Sequence, residues 1–319
     1  MTNNDIVLLA DPESNAWKMA EEICRIIKEK MGCRIVAVKI KKFRNNEKKI
    51  KISENIRKHD CFLIQDSSKL PESWFLETLA SLEALKNSSA GEVTAVLPLL
   101  LYSRQDRKDE SRVAVTAKLV ADCISMYANR VLTVDLHAAQ IQGFFDVPLD
   151  NLYSFPVVVN YLKEKYPDFL ENLTIAATDA GGAKLAYSFA KRLEKYGIKP
   201  EIAIGSKHRP KEGEVSEFKM IGEIKDRNVF IVDDIIDSGN TIARCAEVIR
   251  KGGAKKIYVY GTHGLFTEGF DIFKDVDKIF VSDTVNQASD KVEIISMNPL
   301  IAEAILRIAT GDSLSQLFD

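Results

Sequence analysis

Short apolar runs alternate with amphipathic stretches along the whole chain. Ile6–Ala10, Arg34–Val38, Cys61–Gln65, Val93–Pro98 and Val131–Val134 read as buried strands. A second series follows at Leu173–Ala177, Glu201–Ile204, Val229–Val232, Lys256–Tyr260 and Lys278–Val281. Between them, Trp17–Glu29, Ala114–Met126, Ala183–Tyr196, Thr241–Arg250 and Leu300–Ile308 carry apolar residues at the helical period. Strand alternating with helix predicts α/β architecture, with parallel sheets covered by helices on both faces. The two series predict two domains, 1–152 and 153–319, joined in the stretch Asp146–Ser154 that contains Pro148 and Asn151. The halves share a rhythm, but no clear sequence repeat.

Composition narrows the class. A length of 319 residues suits two domains, and 46% hydrophobic with 28% charged residues is ordinary for a soluble globular protein. A net charge of -2 argues against a nucleic-acid-coating role. Cys24, Cys33, Cys61, Cys123 and Cys245 are scattered and odd in number, so neither zinc ligation nor a disulfide framework is expected, and a reducing cytoplasm fits. The apolar run at Ile6 is too short for a signal peptide, and no stretch is long enough to span a membrane.

Five polar stretches carry candidate chemistry. In Val229–Thr241 an apolar strand runs into Asp233 and Asp234, then into the small polar loop Asp237-Ser238-Gly239-Asn240-Thr241 ahead of a helix. Backbone N–H groups and two hydroxyls at a helix N-terminus make a phosphate cradle. The adjacent carboxylates would repel phosphate, so sugar hydroxyls or a metal-bound diphosphate suit them better; a simple capping turn is the bland alternative. Asp135 and His137 stand two apart at a strand end, where a shared face would let them converge on a divalent cation or simply bond to each other. Arg104-Gln105-Asp106-Arg107 offers guanidinium groups suited to triphosphate oxygens, or is a charged loop. Lys207-His208-Arg209-Pro210 reads as the start of a mobile flap, or as a solvated loop. Asp179, followed by Gly181-Gly182, closes another strand where the glycines permit close backbone approach.

Together these stretches resemble the ribose-phosphate diphosphokinase family, also called phosphoribosyl-diphosphate synthetase. The resemblance runs from about Ile6 to Phe318 and is most specific at Thr116–Asp122, Val131–Pro148 and Asp233–Thr241. It implies two tandem phosphoribosyltransferase-like domains, the first making ATP contacts and the subunit interface, the second holding ribose 5-phosphate and the catalytic loop. It implies that Asp237–Thr241 hold the 5-phosphate, with Asp233 and Asp234 near the ribose hydroxyls and Arg209 beside them. His137 and Asp179 match magnesium-site positions, with Asp135 adjacent, so Mg2+ is the implied cofactor. Phe43, Asn45, Glu47, Arg104, Gln105, Asp106 and His137 fall on ATP-contact positions, and Lys207 and Arg209 on the catalytic loop. The implied reaction transfers the diphosphoryl group of Mg-ATP to the anomeric hydroxyl of ribose 5-phosphate. A homodimer building to a hexamer, and regulation by phosphate or ADP, are also implied; nucleic acid and membrane are not.

Departures from the family pattern are local. The adenine segment reads Phe43-Arg44-Asn45-Asn46-Glu47, with Asn at two positions where Asp and Gly are expected, and Asn240 stands where Gly is common. Asn tolerates positive φ, so Asn46 and Asn240 are expected to keep the backbone geometry. The competing reading is a catalytically silent regulatory subunit, favoured only by the altered adenine segment.

Overall fold

The computed structural model describes residues 5–208, 217–287 and 289–318. The chain divides into two compact units: 1–153 with 284–286 and 297–319, and 154–283 with 287–296. The first unit contains β1 (Ile6–Ala10), α1 (Asn15–Ile27), β2 (Cys33–Lys42), β3 (Lys48–Ile52), β4 (Cys61–Ile64), α2 (Pro71–Asn87), β5 (Val93–Val96), α3 (Thr116–Ser125), β6 (Arg130–Val134) and β7 (Leu149–Leu152). The second contains α4 (Phe155–Lys165), β8 (Leu173–Ala177), α5 (Ala183–Glu194), β9 (Glu201–His208), β10 (Glu217–Ile221), β11 (Asn228–Ile236), α6 (Asn240–Lys251), β12 (Lys256–Gly264), β13 (Lys278–Ser282) and β14 (Glu293–Ile295). The last helix, α7 (Asn298–Thr310), returns to the first unit, where it packs on α1.

Each unit holds one seven-stranded sheet, and the two have the same topology. The orders are β3-β2-β1-β4-β5-β6-β7 and β10-β9-β8-β11-β12-β13-β14. All pairings are parallel except β2 with β3 and β9 with β10. The duplication that the sequence does not display is thus plain in the strand order. In each sheet the chain steps one way from the first strand and then the other, so the order reverses between β1 and β4 and between β8 and β11. Ligands in such folds bind beyond the carboxyl ends of the strands at this reversal.

The expected fold class is the observed one, and its cause is legible. Central strands such as β1 and β8 are buried along their whole length, as strands covered on both faces must be. Helix α1 buries Ala16, Ala20, Ile23, Cys24 and Ile27, one stripe of a 3.6-residue helix. Pro71 opens α2 and Pro299 opens α7, where their missing N–H groups cost nothing. One core face of the first sheet joins Val7, Leu9, Val36, Leu63 and Ala95 to Trp74, Leu82 and Ile124. In the second unit Phe169 stacks on Tyr258 at 3.8 Å, and Phe189 meets Phe230 edge-on. The strands overlooked by pattern reading are β3, β7, β10 and β14: all are short, and all four lie at sheet edges.

A mostly buried ion network ties the β2–β3 hairpin to α2. Glu77 of α2 accepts from Lys48 Nζ at 2.6 Å and from Lys69 Nζ at 2.7 Å, and Lys69 also reaches Asp11 at 2.8 Å. Burial works against the Lys69 charge, but its bonds to Asp11 and Glu77 prevail and hold its ammonium above the usual range. Removing only the shared carboxylate takes from Lys48 the carboxylate it is paired with and leaves Lys69 with Asp11 alone. Glu77→Ala should therefore destabilise the first unit by about 3–5 kcal/mol, measured by denaturant unfolding. Glu22→Ala, which breaks only the exposed pair with Arg25, should leave the melting temperature almost unchanged. Equal effects of the two substitutions would refute the network's role.

Candidate active site

The second sheet's reversal gathers the most distinctive chemistry. Strand β11 does not stop at Val232, as its apolar pattern suggests; it continues through both carboxylates to Ile236, paired with β12. Neighbouring strand residues point to opposite faces, so Asp233 and Asp234 face apart. The Asp233 carboxylate accepts from Thr178 Oγ1 at 3.3 Å, just past β8, and from the Asp234 N–H at 3.0 Å. Thr178 opens the stretch that contains Asp179 and Gly181-Gly182, but its bond to β11 was not foreseen from sequence.

Beyond Ile236 the chain turns into α6 through Gly239. That residue has φ 80, and a Cβ there would lie 2.3 Å from Phe273 Cζ, so both backbone and packing require glycine. Helix α6 then starts at Asn240 behind an N-cap glycine, with no acid in its first turn, and its first amide makes only a long bond to Ser238 Oγ at 3.4 Å. Its amide end thus carries the partial positive charge that suits an anion. Asn240 is the first helical residue and not a positive-φ position, so the tolerance argument does not apply to it. It applies at Asn46, where φ is 67. The loop is braced from behind: Thr267 donates to Asp237 Oδ1 at 2.9 Å, and Asn240 Nδ2 donates to Glu268 at 2.8 Å. Thr267, Glu268 and Phe273 lie beyond β12 in a stretch without apolar rhythm, which is why sequence alone did not flag them.

Asp179 closes β8 and accepts the N–H groups of Gly181 and Gly182 at 2.8 and 3.1 Å, both on Oδ1. Lys207 and His208 belong to β9, paired with Phe218 and Glu217 of β10, so this segment is a strand-ended hairpin and not a loop throughout. Arg209 and the 210–216 stretch lie outside the described residues, as does the Lys207 side chain.

In the first unit, β6 ends at Val134 and Asp135 takes φ 42. Strand alternation therefore stops before it, and the shared-face argument for Asp135 and His137 fails: Asp135 is buried and His137 exposed. Arg104 and Gln105 are exposed on the loop after β5, the strand next to β6. Gln140 Nε2 donates to Asp106 at 2.8 Å and so links that loop to the segment following His137. Phe43 and Glu47 sit at the tip of the β2–β3 hairpin, and Asn45 Oδ1 accepts the Glu47 N–H at 3.2 Å. Three strand spacings, roughly 14 Å, separate β2 from β5. The candidate nucleotide residues of one chain thus form two groups.

Among the described residues, no group of three or more His, Cys, Asp or Glu side chains could hold a metal alone. Magnesium asks less of a protein, since it is commonly held by one or two carboxylates together with substrate phosphates and water. Asp135 in the first unit, and Asp179 in the second through its second carboxylate oxygen, each offer a single carboxylate of that kind.

The switch point, phosphate loop and paired acids set the context for comparison with known proteins. The sequence matches the family profile described as the N-terminal domain of ribose phosphate pyrophosphokinase over 13–127, and the phosphoribosyl synthetase-associated domain over 201–319. It is 40% identical over 314 residues to a ribose-phosphate pyrophosphokinase of Chlorobaculum tepidum, covering 95% of this chain and 94% of that protein. This chain belongs to the ribose-phosphate pyrophosphokinase family. A ribose-phosphate pyrophosphokinase of Hyphomonas neptunium is 38% identical, with 92% and 95% covered. The crystal structure of phosphoribosylpyrophosphate synthetase from Mycobacterium smegmatis aligns with a TM-score of 0.84 at 28% identity, over 96% of this chain and 99% of that one.

The half-buried Asp233 has a measurable consequence. Burial first, and then the neighbouring Asp234 charge, push the Asp233 carboxyl up to about 8. The folded chain thus holds a proton that the unfolded chain, titrating near about 4, has released, so stability falls as pH rises through that window. Asp233→Asn should raise the melting temperature of the ligand-free protein at about pH 9 and give no gain near pH 3.5, by scanning calorimetry. A pH-independent difference would contradict this account of Asp233.

Proposed function

We propose that this chain transfers the diphosphoryl group of ATP to the anomeric hydroxyl of ribose 5-phosphate, giving phosphoribosyl diphosphate and AMP. The observation that carries the reading is the start of α6 behind Gly239, beside two acids on β11, in a chain of this family. The 5-phosphate takes the amides and hydroxyls of Asp237, Ser238, Gly239, Asn240 and Thr241. The ribose hydroxyls take Asp233 and Asp234. The nucleotide is assigned to Arg104, Gln105, Asp106 and His137, with the base against Phe43, Asn45 and Glu47.

The anomeric oxygen attacks the β-phosphorus in line, and the bond to the α-phosphate oxygen breaks as AMP leaves. Such chemistry is mostly positioning and neutralisation of developing charge. Lys207 and Arg209 supply positive charge to the transferring group, and Arg209 also contacts the sugar phosphate. Mg2+ bound with the nucleotide phosphates would supply further neutralisation, and Asp135, His137 and Asp179 are the residues that the family resemblance assigns to it. The silent-subunit alternative loses ground because the phosphate loop and both acids are in place.

Phe43 is half exposed at a hairpin tip, three strands from Arg104, which supports an adenine segment that completes the site of a neighbouring copy. Hence we infer a homodimer building to a hexamer, with phosphate or ADP as regulators and domains near 1–152 and 153–319 as functional halves. Among the described residues no helix is long and apolar enough to cross a membrane. Five free cysteines suit the cytoplasm as the working compartment.

Asn45 sharpens the test. Its carbonyl is engaged by the Glu47 N–H, so its amide donor is what remains for a base edge. A donor suits the 6-oxo group of guanine better than the amino group of adenine. With ribose 5-phosphate and Mg2+, the wild type should form AMP from ATP and detectable GMP from GTP. Asn45→Asp should shift the kcat/KM ratio towards ATP by about tenfold. Formation of ADP in place of AMP would overturn the reaction; an unchanged ratio would remove Asn45 as the base reader.

A further inference from the structure

The outer half of the β9–β10 hairpin is held by side chains and not by the sheet. Strand β9 pairs with β8 only from Glu201 to Ile204. From Gly205 to His208 it pairs with β10 alone, setting Gly205 opposite Met220 and Lys207 opposite Phe218. Strand β10 is itself the edge of the sheet. A two-stranded ribbon that has left its sheet is marginally stable and twists more strongly than a broad sheet does. The ladder therefore does not fix where the strand position of Lys207 stands relative to β11 and α6. Packing has to do so.

That packing is concentrated on Phe218. Its ring is buried although it belongs to an edge strand, and it joins Ala176, Ala203, Ile231 and Ile242 in the core beneath α6. The tip of the ring occupies the space that a side chain at position 205 would need. A Cβ on Gly205 would lie 2.6 Å from Phe218 Cζ and 2.2 Å from the carbonyl oxygen of Thr178. Glycine at 205 thus lets β9 press against the end of β8, with the Phe218 ring packed on it. The Arg244 guanidinium of α6 lies 5.9 Å from the centre of the same ring, within cation–π range. Two residues further along β10, Met220 Sδ accepts from the Cys245 thiol at 3.6 Å. Neighbouring residues of α6 therefore hold both Phe218 and Met220.

These contacts lead straight to the candidate site. Thr178, whose carbonyl meets Gly205, is also the donor to the Asp233 carboxylate. Arg244 stands one turn into the helix whose first amides form the proposed phosphate cradle. Phe218 thus connects the strand that carries Lys207 to the two elements that carry the acids and the cradle.

We propose that Phe218 is a positioning residue that anchors the outer half of the β9–β10 hairpin, and with it Lys207, against Thr178 and α6. It acts through the strand and supplies no group to the reaction. Its kinetic consequence rests on the proposed role of Lys207; the anchoring of Gly205–His208 does not.

The test compares full-length wild type, Phe218→Leu, Phe218→Ala and Phe189→Leu, all well below their melting temperatures. Phe189 is the reference for a purely structural ring, since it is buried on the opposite face of the same sheet against Phe230 and Tyr260. With ribose 5-phosphate and Mg-ATP, Phe218→Leu should lower kcat by about tenfold or more, because a misplacement of about 1 Å can cost on the order of 100-fold. The KM for ribose 5-phosphate should change by less than about twofold, since the cradle itself is untouched. Phe218→Ala should lose more of kcat; if it fails to fold, Phe218→Leu decides. Phe189→Leu should lower the melting temperature and leave kcat within about twofold of wild type. In the ligand-free protein, hydrogen exchange over 203–208 should quicken in Phe218→Leu and not in Phe189→Leu. Unchanged exchange there in Phe218→Leu overturns the anchor. Faster exchange with wild-type kcat, or equal kcat losses in Phe218→Leu and Phe189→Leu, overturns the positioning role. If the wild type forms no AMP, the reaction reading fails, and the exchange comparison alone decides whether Phe218 holds the hairpin.

Discussion

The turn from β11 into α6 admits only glycine at position 239, and the second unit's site depends on that constraint. A positive φ lets the chain reverse at once from strand to helix, and Phe273 fills the space any side chain would need. The first amides of α6 are thereby delivered immediately beside the strand reversal, with only a long bond from Asn240 N–H to the Ser238 hydroxyl. Asp233 and Asp234 are positioned by the same strand, and Thr267 and Glu268 hold the turn from behind. The site is a consequence of how one strand ends.

The first unit has the same strand order and uses its reversal differently. The loop after β4 is tied down by its own residues. Asp66 accepts the N–H of Asn15, the first residue of α1, at 3.0 Å. Ser67 exchanges bonds with both backbone groups of Leu99. Lys69 is held between Asp11 and Glu77, and Pro71 removes an amide from the start of α2. The Asp66 carboxylate takes the first amide of α1, so this reversal is held together by the chain's own side chains. The candidate nucleotide residues of the first unit lie instead on the loops after β5 and β6 and on the β2–β3 hairpin. That hairpin is the topological counterpart of β9–β10, which carries Lys207.

Much of this was legible in the sequence, for reasons that also mark the limits. Continuous apolar runs gave the central strands, because parallel strands are buried on both faces. The acidic stretch from Asp233 to Thr241 announced the phosphate loop, because few structural needs call for that combination. Period-two reasoning failed at Asp135, where a positive φ ends the alternation, and the apolar run Val229–Val232 understated β11, which runs on through Asp233 and Asp234 to Ile236. The return of α7 to the first unit was invisible, since an amphipathic helix does not name its partner. Thr178 and Thr267 act through distant pairings that only the fold brings about.

The central claim is that one reversal is open to a sugar phosphate and the other is closed by the chain itself. Hydrogen exchange of the full-length protein, with and without ribose 5-phosphate, tests this directly by resolving peptides from both reversals. The account predicts new protection over 178–182 and 233–242, and none over 11–17 or 66–72. Protection at the first unit's reversal, or none across 237–241, would contradict it.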